Sequence, residues 1–388
     1  MRRAQQNLQP PTTKRGDPAV ADVLWRALED TTIEFNDDVP HGFHSWPAGT
    51  PPAIARTLLD DFVRGPGDVV VDPFCGGGTV GLEALLHKLP FVGVDLNPLS
   101  QRVGFQRCRP RSDGDAAGVG AIVDAITERS KDRVRAKQRV RAEVPPDIAA
   151  AYLPHTLAEL AGLVDEIIDC DDENARKLMA VCFSAILTKV SQRRGDTGRT
   201  DGEPKRVARF FPSETFQQKA HELLDRQRAL FRKVGLDVPR PRFVEGDARD
   251  LATVVDVKAD LVITSPPYGG TYDYSKHHAH RIAWLGLDDS KLQQLEIGAR
   301  RRQNRRGEFD DEVRAMLVSI TGVLSENGRV VLLMGDGVVD GKRRDAAQHV
   351  EEASAAADLV VIASAAAPRS DWHGGPDRRE HLIALRRR

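Results

Sequence analysis

The sequence predicts an α/β fold: a mostly parallel sheet with an antiparallel edge strand, carrying a helical insertion. Three observations predict it. A β-branched run enters a glycine turn and a helix before a second β-branched run follows at 91–95. Five further strand-like runs lie between 242 and 386. The span separating the two groups is long and amphipathic, with the period of helices.

Taken in chain order, residues 1–18 are polar, basic and proline-containing without an apolar segment, so they read as a loose tail and not as a signal peptide. DVVVD at 68–72 is a strand ended by PFCGGG, and TVGLEALLHK supplies the helix behind it. FVGVD at 91–95 closes a βαβ unit, which requires parallel pairing. From about 118 to 234 the stretches AIVDAITERSKDRVRAKQRVRAEV, TLAELAGLVDEIID and ENARKLMAVCFSAILTKVSQ read as helices. Between the last of them and 209, RRGDTGRTDGEPKRVAR has no periodicity and many turn residues, which predicts an exposed mobile loop. RFVEGD, DLVIT, GRVVLLMGD, DLVVIAS and HLIALR then supply strands, with DEVRAMLVSITGVL as a helix among them. No helical pattern separates the last two strands, so they are expected to pair as an antiparallel ribbon at one edge.

Composition narrows the class. The 388 residues suffice for two domains, or one with an insertion, at about 150 residues per domain. Lys and Arg total 56 against 57 Asp and Glu, a formal charge of −1, which excludes a distributed cationic coat. The four cysteines, Cys75, Cys108, Cys170 and Cys182, form no CxxC pair, which argues against a disulfide scaffold or a cysteine zinc site and fits a reducing cytosol. No apolar run approaches a membrane span.

The glycine turn is the first chemical site. Gly76 to Gly81 satisfies GxGxxG, and Asp95 ends the next strand nineteen residues beyond Gly76. Glycines let backbone approach a ligand, a helix N-terminus offers free N–H groups, and a carboxylate after the second strand takes ribose hydroxyls. Any adenosine-containing cofactor could use this arrangement, nicotinamide cofactors included. The second site is TSPPYGG, behind the strand DLVIT. Two prolines fix φ and remove donors, giving a rigid loop at the carboxyl end of a strand, where open α/β sheets place ligands. An exocyclic base amine is a poor nucleophile because its lone pair is delocalised. Two acceptors on its protons, Ser265 Oγ and the Pro266 carbonyl, would free that pair, and Tyr268 would stack on the extruded base.

The DPFCGGGT, GVDLNPLS and SPPY segments together resemble S-adenosylmethionine-dependent methyltransferases of nucleobase amino groups. The resemblance implies a Rossmann-like sheet and places Asp72, Pro73, Phe74, Cys75, Gly76, Gly78, Thr79, Asp95 and Asn97 around the cofactor. In that scheme Asp72 faces the methionine amino group, Thr79 the methionine carboxylate and Asp95 the ribose. Gly77 stands where the family usually has Ser. HGFHSWPAGTPPAIARTLLDDF at 41–62 resembles the segment that closes over the methionine end. In EGDARDL, Asp247 would accept from the adenine amino group.

The same resemblance makes Ser265, Pro266, Pro267 and Tyr268 the catalytic motif, and Ser at its first position favours cytosine N4 over adenine N6. DPFCGGGT and SPPYG are also similar to guanine-N2 methyltransferases of tRNA and rRNA. A nicotinamide-dependent oxidoreductase is the remote alternative, since it leaves SPPY without a role. Tyr272, Tyr274 and the arginine run Arg300, Arg301, Arg302, Arg305 and Arg306 are the expected nucleic-acid contacts, the arginines on phosphates. The histidines at 277, 278 and 280 lack partners for a metal set, so no metal is expected.

The organisation that follows is a lead-in at 1–40, a catalytic domain over 41–110 and 240–388, and a mainly helical insertion at 111–239 that would serve target recognition. The expectation is a cytoplasmic methyltransferase of restriction–modification type, with S-adenosylmethionine as cofactor and DNA favoured over RNA.

Overall fold

The computed structural model describes residues 8–32, 38–138, 140–196, 205–269, 273–299, 307–339, 342–369 and 378–388. Its strands are β1 (Thr13–Gly16), β2 (Val70–Asp72), β3 (Phe91–Asp95), β4 (Arg242–Glu245), β5 (Ala259–Thr264), β6 (Leu324–Gly335), β7 (Gly337–Val339), β8 (Lys342–Arg344), β9 (Leu359–Arg369) and β10 (Arg378–Arg387). Eight of them form one sheet in the order β1-β9-β10-β6-β5-β2-β3-β4, while β7 and β8 pair separately. The five strands from β4 to β6 are mutually parallel. Beyond β6 the sheet turns antiparallel, β10 pairing with both β6 and β9. The fold is therefore α/β with a mostly parallel sheet, as the sequence predicts.

The helices are α1 (Pro18–Glu29), α2 (Pro52–Phe62), α3 (Thr79–Leu86), α4 (Pro98–Arg107), α5 (Asp113–Arg135), α6 (Pro146–Ala149) and α7 (Pro154–Ile168). They continue as α8 (Glu173–Val190), α9 (Phe211–Val234), α10 (Tyr274–Trp284), α11 (Ser290–Leu295), α12 (Glu308–Val323) and α13 (Ala346–Ser354). One face of the sheet packs on α12 and α13 through Val71, Val262, Leu332, Met316, Ile320 and Val350. The other packs on α1, α2 and α3 through Val70, Ile263, Val331, Leu24, Leu58 and Val80. Strands buried on both faces explain why β5 and β6 read as continuous apolar runs instead of alternating ones.

Two expectations need correction. The tail reading fails from Leu8 onward: Leu8 bridges to Arg369, and β1 pairs antiparallel with β9, so the lead-in covers the sheet edge. All four β1 residues are exposed, so no apolar alternation announced the strand. Backbone pairing forms it, and Lys14 and Arg15 make it an edge that resists further pairing. Gly16 is required where it leaves β9, at φ +94, because a Cβ there would lie 2.2 Å from the Ile362 carbonyl oxygen. The C-terminal ribbon is antiparallel as predicted, but it lies inside this edge and not at it. The second correction is the stretch 121–144, whose helical pattern continues past the point where α5 stops at Arg135.

Helices α5, α7, α8 and α9 share a core of Val123, Ile126, Leu160, Leu178, Phe183, Phe216 and Leu223. Leu99 and Val103 of α4 and Trp284 of α10 belong to the same core. The helical span is thereby packed directly onto the helices that follow β3 and β5.

Leu332→Ala, which empties a fully buried site on a central strand, should cost about 2–5 kcal/mol in urea unfolding. Val318→Ala, at a position half exposed on α12, should change stability by less than about 0.5 kcal/mol.

Candidate functional site

One cleft at the carboxyl ends of the parallel strands collects residues from both sequence motifs. Asp72, Pro73, Phe74, Cys75, Gly76, Thr79, Asp95 and Asn97 line it together with Ser265 and Pro267. These segments meet because β2 pairs with β5 on one side and β3 on the other. The pairing is continued beyond the last ladder bond by Thr264 Oγ1, which donates to Asp72 Oδ1 at 2.6 Å. The residue before Ser265 is thus tied to the residue before the glycine turn.

The turn has the backbone that its composition implies. Gly76 has φ +47 and Gly78 has φ +81, and the Gly78 amide donates to the Cys75 carbonyl at 2.7 Å. A Cβ on Gly76 would lie 2.6 Å from Trp46 Nε1. Gly78 does not line the cleft; it starts α3 and makes room for Gly104 of α4, whose Cα would lie 2.9 Å from a Cβ. Gly77, where the family usually carries Ser, has its own reason. Arg107 Nη1 donates to the Gly77 carbonyl at 2.8 Å and would lie 2.6 Å from a Cβ there. The guanidinium occupies the space of the missing side chain.

The two acidic positions differ in their bonds. Asp72 is buried and also accepts from the Phe74 amide; burial pushes its carboxyl up to about 7 despite those two hydrogen bonds, with Asp95 adding a repulsive charge. Asp95 accepts from the Gly76 amide through one oxygen and from the Asn97 amide through the other, both at 2.8 Å. Burial raises it to about 6. A carboxylate has about four lone-pair sites, so Asp95 can hold the turn and still accept from a ligand hydroxyl. Asn97 caps α4 with its Oδ1 on the Leu99 amide, and its buried Nδ2 has no hydrogen-bond partner among the described residues.

Segment 46–51, Trp-Pro-Ala-Gly-Thr-Pro, forms the opposite wall of the cleft. Its lead-in is bound by buried polar contacts. His41 and Arg56 both bond the fully buried Glu83 of α3, each at 2.7 Å. His44 Nε2 meets Ser184 Oγ at 2.8 Å, and Arg107 Nη2 donates to the His44 carbonyl at 2.6 Å. Ser45 donates to Asp196, which also receives Arg281 of α10 at 2.7 Å. The described part of the loop expected to be exposed and mobile therefore turns a carboxylate inward; residues 197–204 lie outside the described residues. His278 is fully buried, stacked on Trp46 with ring centroids 4.4 Å apart, and burial beside Arg281 keeps it neutral.

Three predicted residues sit differently from expectation. Asp247 gives both carboxylate oxygens to Arg249, at 2.9 and 2.6 Å, and the cleft is lined by its neighbours Gly246 and Ala248. Tyr268 is only 7% exposed; its hydroxyl donates to Glu380 at 3.2 Å, and its ring lies where a Cβ on Gly335 would be. It packs into the core beneath the loop and is no open platform, because Gly335 leaves it the space. Tyr274, expected at nucleic acid, lines the cleft itself. Pro266 is buried beside the cleft. Tyr272, Arg300, Arg301, Arg302, Arg305 and Arg306 lie outside the described residues.

Sequence reasoning missed Arg107 and Glu296, both of which line the cleft; Trp46, which also lines it, belongs to the 41–62 segment expected over the methionine end. Arg107 is one of several arginines in a basic stretch, and nothing in that pattern marks it as buried. Among the described residues, Asp336, Asp345 and His381 have metal-ligand spacing, but Arg343 and Arg379 already bond those carboxylates.

Comparison with known proteins agrees with the motif reading. Residues 4–103 match the sequence model of the N6_N4_Mtase family, described as DNA methylase. Type II methyltransferase M.BsoBI of Geobacillus stearothermophilus is 22% identical over 309 residues, covering 68% of this chain and 56% of that protein. Type II methyltransferase M.MvaI of Kocuria varians is 25% identical over 278 residues, covering 67% of this chain and 61% of that protein. The chain thus spans somewhat over half the length of these relatives. The crystal structure of TrmN from Thermus thermophilus aligns with 88% of this chain and 50% of its own, at 13% identity and a TM-score of 0.35.

Because Asp72 and Asp95 are raised by burial, ligands that need them ionised should bind more tightly as pH rises. S-Adenosylmethionine affinity measured by calorimetry should increase about tenfold from about pH 5.5 to about pH 7.5 and then level off. Asp72→Asn should remove most of that dependence.

Proposed function

We propose that this relative of the N6/N4 DNA methylases transfers a methyl group from S-adenosylmethionine to an exocyclic base amine of DNA, with cytosine N4 as the acceptor. The observation that carries the reading is the shared cleft: Ser265 and Pro267 line it together with Asp72, Gly76, Thr79 and Asp95. The cradle fits the cofactor, since Gly76 at the turn carries no side chain and Asp95 retains free acceptor capacity for a ribose.

When bound, the cofactor supplies a methyl group on a sulfonium centre. The protein supplies position and polarity. Asp72 takes the methionine ammonium, and the Trp46 segment covers that end. Ser265 Oγ and the Pro266 carbonyl accept hydrogen bonds from the two N–H groups of the base amine, drawing its nitrogen toward tetrahedral geometry and directing its lone pair at the methyl carbon. Tyr268, fixed by Glu380, holds the loop from beneath. Ser at the first motif position, the residue commonest there among the cytosine-N4 enzymes that this motif resembles, supports cytosine as the acceptor base. The arginines at 300–306 take the DNA phosphates.

Incubation with labelled S-adenosylmethionine and either DNA or tRNA, followed by nucleoside mass spectrometry, tests the assignment. N4-methylcytosine from DNA is the expected product; N6-methyladenine corrects the base, N2-methylguanine from tRNA corrects the substrate, and no methylated nucleoside refutes the activity. Ser265→Ala should lower turnover by about 10²-fold or more while calorimetric cofactor affinity stays within about twofold.

A further inference from the structure

We propose that Arg107 is a cofactor-recognition residue that pairs with the methionine carboxylate of S-adenosylmethionine, a role that rests on the assignment of the cleft to that cofactor. Arg107 is 1% exposed and lines the cleft. Among the described residues, two of its five donors are used, one on the Gly77 carbonyl and one on the His44 carbonyl, and its Nε has no hydrogen-bond partner. No carboxylate is ion-paired with it among the described residues. Burial lowers its guanidinium to about 10, the neighbouring Arg226 charge adding to the shift.

A buried guanidinium without a counter-charge is costly, and two carbonyl dipoles offset only part of that cost. Among the described residues, none of the cleft's acids bonds Arg107. Asp72 is bonded by Thr264 and Phe74, Asp95 by Gly76 and Asn97, and Glu296 by the Tyr274 amide. A bound anion would supply the missing counter-charge.

The position identifies which part of the ligand. Arg107 Nη1 is bonded to the turn that opens α3, whose first residue, Thr79, also lines the cleft. Free amides and the positive end of that helix favour an anion at the same place. Arg107, Thr79 and the helix N-terminus converge on one carboxylate. Because Arg107 also holds the His44 carbonyl, binding of the anion couples the glycine turn to the Trp46 segment that forms the opposite wall.

Calorimetry with S-adenosylmethionine and decarboxylated S-adenosylmethionine, which lacks only the carboxylate, isolates the interaction. The unmodified protein should prefer S-adenosylmethionine by about 10- to 100-fold. Arg107→Gln should reduce that preference to about threefold, with binding of the decarboxylated ligand little changed. Should Arg107→Gln fail to fold, as judged by its thermal transition, Arg107→Lys reads the same ratio, since one ammonium cannot serve both carbonyls and the carboxylate. A preference below about threefold in the unmodified protein, or an unaltered preference in a folded variant, overturns the proposal. Failure of the unmodified protein to bind either ligand instead overturns the assignment of the cleft to this cofactor.

Discussion

The site depends on the central pairing of β2 with β5, sealed by the hydrogen bond from Thr264 to Asp72. Parallel strands expose the loops after their carboxyl ends at one rim of the sheet. Residues separated by 192 positions become neighbours there, so the glycine turn and the Ser-Pro-Pro-Tyr loop share one cleft. The same bond lies in a buried environment, and this is why Asp72 sits near the middle of the titration range while still accepting two hydrogen bonds.

The wall facing the turn has a different basis. Segment 41–51 contains only a single short turn of 3₁₀-helix, so it cannot satisfy its backbone through helix or sheet pairing. It is held instead by side chains from four directions: Glu83 on α3, Arg107 on α4, Ser184 on α8 and Asp196 after α8. Charged groups buried in this way add little net stability, since desolvation offsets attraction, but they penalise every other arrangement of the segment. The helical span contributes two of the four anchors. Its connection with the sheet is therefore part of the site and not merely a neighbouring mass.

The charge balance acquires a more specific meaning. A formal charge of −1 conceals basic residues that are consumed internally. Arg107 and Arg281 are both fully buried, the first on carbonyls and the second on Asp196, so neither contributes to an external field. Counting basic residues along the chain overstates the charge available to an external phosphate backbone, and the balance at the surface is set by which arginines the fold draws inside.

The sequence by itself determined the parallel sheet and the two motifs that meet at its rim, because β-branched runs, glycine turns and a Pro-Pro loop are local signals whose meaning survives without neighbours. It determined most of the cleft lining from Asp72 to Asn97, and Ser265. The tertiary structure decided what depended on partners distant in the chain. β1 exists because β9 offers an edge, and an exposed Thr-Lys-Arg-Gly has no pattern of its own. The β7–β8 pair, by contrast, carries a local signal in the sequence, the Asp-Gly between its strands. Tyr268 is buried because Gly335 lacks a side chain, and Asp247 is turned aside because Arg249 holds both its oxygens. Arg107 shows the limit most plainly: one arginine among several in a basic stretch enters the cleft only when folding removes it from water, with no acid paired to it among the described residues.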